Sequence, residues 1–168
     1  MDLLLRALAL NKDNTLALYI LGEYAVKYNH PTLVEISYTS ILKSDPANAT
    51  IMIRLGILYL SKGLLEKASD LFRKAYDIGR DSKPTHDGYL ELSLAGLAFI
   101  ASKQKKNDLK LDFAKKTIAL LDEIVQRTKK NTQLRHFGGL QRLIRLSKEI
   151  GDEELVSYFE QESKSLQP

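Results

Sequence analysis

Leu21-Gly22 and Leu55-Gly56 stand 34 residues apart, and most of their surroundings recur at that spacing. Leu18 and Ala25 map onto Met52 and Tyr59, while Val34 and Tyr38 map onto Ala68 and Phe72. A fixed period of this size marks a chain of stacked units, each too small to bury its apolar face alone. Within each period the apolar residues follow helical spacing twice, over 15–28 and 31–43 and then over 49–61 and 65–78. His30-Pro31 separates the first two segments, because proline disfavours helix in the residue before it and fits the first turn of the next one. Gly63 is placed to stop the third. Glycine is a poor helix former, so Gly22 and Gly56 inside helices predict a close approach that leaves no room for a Cβ.

Extending the register backwards puts Leu4, Ala7, Leu8 and Leu10 on the second helix of an earlier unit. Asn11-Lys12-Asp13-Asn14 then matches the linking turn Asp45-Pro46-Ala47-Asn48. The pattern opens mid-repeat, which predicts either a longer parent chain or an N-terminal helix that serves as a cap. Past Ile78 the strict period fails. Residues 79–85 read as a polar linker, followed by long helices over 85–103 and 108–128 and a last pair over 132–150 and 152–163.

These residues resemble the tetratricopeptide repeat (TPR) family, whose pattern is a large apolar residue, Leu-Gly, Tyr, Ala-x3-Phe and Pro. Gly22, Tyr38, Pro46, Gly56, Tyr59, Ala68 and Phe72 occupy its structural positions. The resemblance implies an all-α fold, a right-handed superhelical solenoid of antiparallel helical hairpins. It divides the chain into a partial repeat at 1–14, TPR repeats at 15–48 and 49–82, a divergent hairpin with long helices at 83–130, and a divergent pair at 131–168 that forms a C-terminal cap. Terminal repeats are expected to be atypical, since one of their faces meets water.

The residues that could carry chemistry do not converge. His30, His86 and His136 are widely separated, and Asp122-Glu123 and Glu153-Glu154 are sequence neighbours that do not face each other on a helix. Gly138-Gly139 lacks the context of a phosphate loop. The reading is a non-enzyme with no catalytic, cofactor-binding or metal-binding residues and no cofactor. The chain has no cysteine, which fits a reducing compartment and an expected cytoplasmic location, and no apolar run approaches the roughly 18 residues of a membrane span.

What remains is a binding surface. In TPR proteins the first helix of each hairpin lines the concave groove, and the resemblance places Tyr19, Glu23, Val26, Ile53, Arg54, Ile57, Leu60, Leu90 and Leu97 there. Several of these helices are apolar nearly all round, so an apolar or amphipathic segment of a partner protein is the expected ligand. On this basis Ile53→Glu with Ile57→Glu is expected to abolish partner binding and leave helicity intact. TPR modules that hold the acidic tails of heat-shock chaperones use Lys, Asn, Asn, Lys and Arg. The matching positions here are Tyr19, Glu23, Arg54, Leu90 and Leu94, which form no cationic clamp, and Glu23 would repel a carboxylate. The alternative is a nucleic-acid or acidic partner. Residues 103–148 hold thirteen Lys or Arg against four acids, while 149–168 hold six acids and one Lys. Arg135, Arg142 and Arg145 are the basic-surface candidates, the last two being i,i+3 neighbours on one helix. Self-association through the apolar faces is a third possibility.

Overall fold

The computed structural model describes residues 2–81, 87–128, 139–141, 143–145, 147–148 and 152–165, and every regular element among them is α-helical. The chain divides into two compact units, residues 1–83 and 84–168. The first holds α1 (Asp2–Leu10), α2 (Thr15–Lys27), α3 (Pro31–Ser44), α4 (Ala49–Ser61) and α5 (Leu65–Asp81). Helices α2 and α3 pack as one hairpin and α4 and α5 as the next, with α3 against α4 joining them and α1 resting on α2.

The repeat is visible in the caps. Asn14 and Asn48, 34 residues apart, are the N-caps of α2 and α4, and their side-chain oxygens accept from the amides of Ala17 (3.0 Å) and Ile51 (3.1 Å). Each thereby satisfies a helix-terminal donor that has no partner within the helix. The turns inside the hairpins match as well. Asn29 (φ 55°) and Gly63 (φ 72°) are both left-handed, and the amides after them reach back to Ala25 O (2.8 Å) and Tyr59 O (2.9 Å). That six-residue bond is the mark of a Schellman C-cap. Pro31 then opens α3 at its first helical position. One boundary differs from the expectation: α5 runs through Gly79 to Asp81, so residues 79–81 belong to a helix and not to a linker.

The repeat glycines face aromatic rings. A Cβ on Gly22 would overlap the Tyr38 ring, lying 2.9 Å from Cδ1, and one on Gly56 would lie 3.0 Å from Cε1 of Phe72. Tyr38 and Phe72 have no exposed surface, so the second helix of each hairpin drives a fully buried ring against the first helix where that helix lacks a side chain. The close approach read from the glycines is therefore ring against backbone. Around it, Leu18, Ala25, Val34, Ile41, Ile51 and Leu55 make one core across both hairpins. Tyr59 sits at its edge and donates to Glu35 (3.1 Å), and Pro46 lies in the exposed turn where Asn48 also bonds Asp45 (2.9 Å).

The second unit holds α6 (Asp87–Lys103), α7 (Asn107–Thr128), helical residues within 139–148, and α8 (Glu153–Ser165). Helices α6 and α7 form a hairpin. Its turn repeats the geometry of the first two, with Lys105 left-handed (φ 57°) and Lys106 N donating to Ala101 O (2.8 Å). Asp152 N makes the same backward bond to Ser147 O (3.1 Å). The equivalent turn residues are thus 30, 64, 106 and 152, at intervals of 34, 42 and 46. The hairpin geometry persists where the sequence period drifts. Ala95, Ala114, Ile118, Leu140, Leu143, Ile144, Leu155 and Phe159 form the core of this unit.

Candidate protein-binding surface

Side chains from three helices meet on the first-helix face of the first unit. Arg54 of α4 lies 2.5 Å from Glu23 of α2, and its second terminal nitrogen donates to the Tyr19 hydroxyl at 3.1 Å. The guanidinium also sits over the Tyr19 ring, 5.5 Å from its centre, a cation–π contact. Tyr38 of α3 donates its hydroxyl to the same Glu23 oxygen, and burial, then Glu23, push its pKa far above the ordinary phenol value. Glu23 and Arg54 are each about one-third exposed, so the cluster forms a polar floor with its charges already paired. An arriving carboxylate would meet an Arg54 that Glu23 neutralises.

Apolar groups flank this floor. Val26 lies one turn beyond Glu23 and is 54% exposed, and Ile57 lies one turn beyond Arg54 and is 50% exposed. Leu60 is half-buried. At the other end Thr15, Leu16, Tyr19, Asn48 and Thr50 line an open cleft of about 490 Å³. Tyr19, Glu23, Val26, Arg54, Ile57 and Leu60 are therefore accessible in whole or part. Two assignments are corrected. Ile53 is 2% exposed and Leu97 is 4% exposed, so both are packed inside and line no open groove. Helix α4 also buries Ile51, Met52 and Leu55, and in α6 residues 93–101 are buried without a break, so an all-apolar helix here means several buried faces. Ile53→Glu is consequently a folding mutation and not a surface one. The side chain of Leu90, together with Arg135 and Arg142, lies outside the described residues.

The basic stretch is partly neutralised within the chain. Lys110 is buried and contacts Asp152 (3.3 Å) and Glu154, Lys116 pairs with Asp112 (2.7 Å), and Lys148 with Glu160 (2.9 Å). Arg145 is exposed and engaged in an interaction of its own. Sequence reasoning missed this cluster, in which Ser102 donates to Asp152 and Asp152 caps α8 through the Leu155 amide (3.0 Å). The only signal for it was an aspartate at the start of an apolar helical pattern.

Antiparallel hairpins in sequence, with buried aromatic rings seated on helical glycines, define a TPR-like all-α fold. Among solved structures the chain is similar to that of Pseudomonas aeruginosa PilF, a TPR protein, with a TM-score of 0.56 and 18% identity over 98% of this chain and 82% of that one. At that identity the likeness is one of fold. No protein-family model and no curated protein matches the sequence. Among the described residues, no helix is long and apolar enough to cross a membrane.

Proposed function

We propose that the chain is a protein-binding scaffold or adaptor that takes an apolar or amphipathic segment of a partner protein along the first-helix face of its first two hairpins. The observation that carries this reading is the exposure of Val26 and Ile57 on either side of the Glu23–Arg54 pair. Burying one such side chain contributes roughly 1.5–3 kcal/mol, so Val26, Ile57, Leu60 and Leu16 together supply about micromolar binding once association costs are met. Tyr19 and the paired charges supply directional contacts to the segment's backbone or polar side. The Arg54–Glu23 pairing also argues against a free acidic tail as ligand, because binding one would require breaking an existing ion pair.

Val26→Glu with Ile57→Glu is expected to weaken binding of a captured and purified partner by at least about tenfold, or 1.4 kcal/mol. Both positions are exposed, so the thermal midpoint of the double variant should stay close to that of the wild type. Isothermal titration of that partner against both proteins checks it. Equal affinities, with both proteins folded, would remove this face from consideration.

A further inference from the structure

The first two hairpins share a register, but their leading edges differ. Arg54, Leu58 and Lys62, four residues apart, form the side of α4 that meets the first hairpin. Arg54 reaches Tyr19 and Glu23, Leu58 packs against the common core, and Lys62 pairs with Glu35 of α3 at 2.6 Å. Thirty-four residues earlier the same positions are Ile20, Tyr24 and Tyr28. Helix α1 packs on α2, yet these three remain 46%, 39% and 51% exposed. Their spacing of four puts them on one side of the helix, and the rings of Tyr24 and Tyr28 lie 4.4 Å apart. At the end of the stripe Tyr24, His30, Pro31, Thr32, Leu33 and Ile36 enclose an open pocket of about 500 Å³. Where α4 is fastened to its neighbour by an arginine and a lysine, α2 presents an isoleucine and a tyrosine.

We propose that this outer edge of α2 docks an amphipathic helix of a partner protein, laid alongside α2 as α2 lies alongside α4. The edge continues, one register back, an interface that the molecule already makes internally, and this sets the geometry: a helix running beside α2 with one side chain entering the Tyr24–Leu33–Ile36 pocket. The chemistry follows from the two substituted positions. Glu23 of α2 and Glu35 of α3 face Arg54 and Lys62 across the internal interface, whereas Ile20 and Tyr28 offer an acid no cation of their own, the Lys27 ammonium lying over the Tyr28 ring 5.4 Å from its centre. The docking helix therefore carries apolar side chains at those places, repeating at three and four residues. The proposal rests on the reading of the chain as a protein-binding module but uses a different face from Val26 and Ile57.

The test uses the full chain and a fluorescently labelled synthetic helix with leucines on one face of a lysine–glutamine background, beside a peptide of the same composition in scrambled order. Anisotropy titrations are run on the wild type and on Ile20→Arg with Tyr28→Lys, which gives α2 the residues that α4 carries in register. The wild type should prefer the amphipathic peptide to the scrambled one, and the variant should bind it at least about tenfold more weakly. The variant should also gain affinity for a peptide in which one facing leucine is glutamate, reproducing the Arg54–Glu23 pairing. Ile20→Gln alone is a milder second variant and should show the same direction of loss. The same edge substitutions made in a Val26→Glu, Ile57→Glu background should still weaken binding of the peptide by at least about tenfold, which separates failure here from failure of the face proposed above. No binding, no preference over the scrambled peptide, or equal binding by the wild type and the edge variants overturns the proposal. So does a concentration-dependent dimer of the wild type that the edge substitutions abolish, since the occupant would then be a second copy.

Discussion

Replacing Lys110 with alanine is expected to destabilise the C-terminal half by about 3–5 kcal/mol, the usual cost of removing one partner from a buried ion pair. Lys110 is 4% exposed, and its ammonium lies between Asp152, whose side chain is 9% exposed, and the more open Glu154. Without the lysine, Asp152 remains a largely buried charge at the start of α8, held among the described residues by the Ser102 hydroxyl and the Leu155 amide. The cluster joins the α6–α7 turn to α8, so its loss should loosen α8 from Ala95, Ala114 and Ile118. Urea unfolding followed by circular dichroism checks this, and a loss under about 1 kcal/mol would show that the pair is weak, as surface pairs are. Asp152→Asn added to Lys110→Ala should recover part of the loss by removing the unpaired charge.

The pH dependence of the cluster follows from the two shifts. Burial raises the Asp152 pKa, but Ser102, the Leu155 amide and Lys110 outweigh it and hold the carboxyl below its ordinary value. Its contribution to stability is therefore present above the unfolded-state pKa and is lost as pH falls through the lowered folded one. For Lys110, burial lowers the pKa, and hydrogen bonds to Glu154 and Asp152 raise it by more. That contribution is present below the ordinary lysine pKa and disappears only as pH rises through the raised one. The gap between wild type and Lys110→Ala should thus persist through neutral pH and narrow in acid, where Asp152 is protonated.

Gly22→Ala should destabilise the first hairpin by about 1–3 kcal/mol, although alanine is the better helix former by about 0.5–1 kcal/mol. The added methyl would overlap the Tyr38 ring, which is fully buried and tied by its hydroxyl to Glu23, so the ring has nowhere to retreat. Gly56→Ala is expected to cost less, because its methyl would meet the Phe72 ring at 3.0 Å and a shift of a few tenths of an ångström suffices. The comparison is checked by the thermal midpoints of the two variants. A higher midpoint for Gly22→Ala would show that propensity dominates and that the ring contact is loose.

The parts of this fold that were legible in the sequence are those set by local chemistry at fixed spacing. Leu21-Gly22 and Leu55-Gly56, and the turns that end in Asn14 and Asn48, each perform one task at one register, whereas the left-handed Asn29, the counterpart of Gly63, was not read from the sequence. The third hairpin turn was harder to read because Lys105 holds the left-handed position without being Gly or Asn. Contacts between distant helices were not legible. Arg54 meets Glu23 and Tyr19 across 31 and 35 residues, and Lys110 meets Asp152 and Glu154 across 42 and 44. Apolar periodicity also could not separate Ile53 and Leu97, which are inside, from Val26 and Ile57, which are outside. A helix apolar on every side carries no internal mark of which side its neighbours cover.

On the function proposed above, the first-helix face around Glu23 and Arg54 receives a partner protein. The most direct measurement places a photo-crosslinking residue at Ile57, on that face, and separately at Lys74, exposed on α5. After irradiation with the partner-containing fraction, a discrete adduct with another protein is expected from position 57 and none from position 74. Adducts of equal yield from both positions, or from position 74 alone, would contradict it.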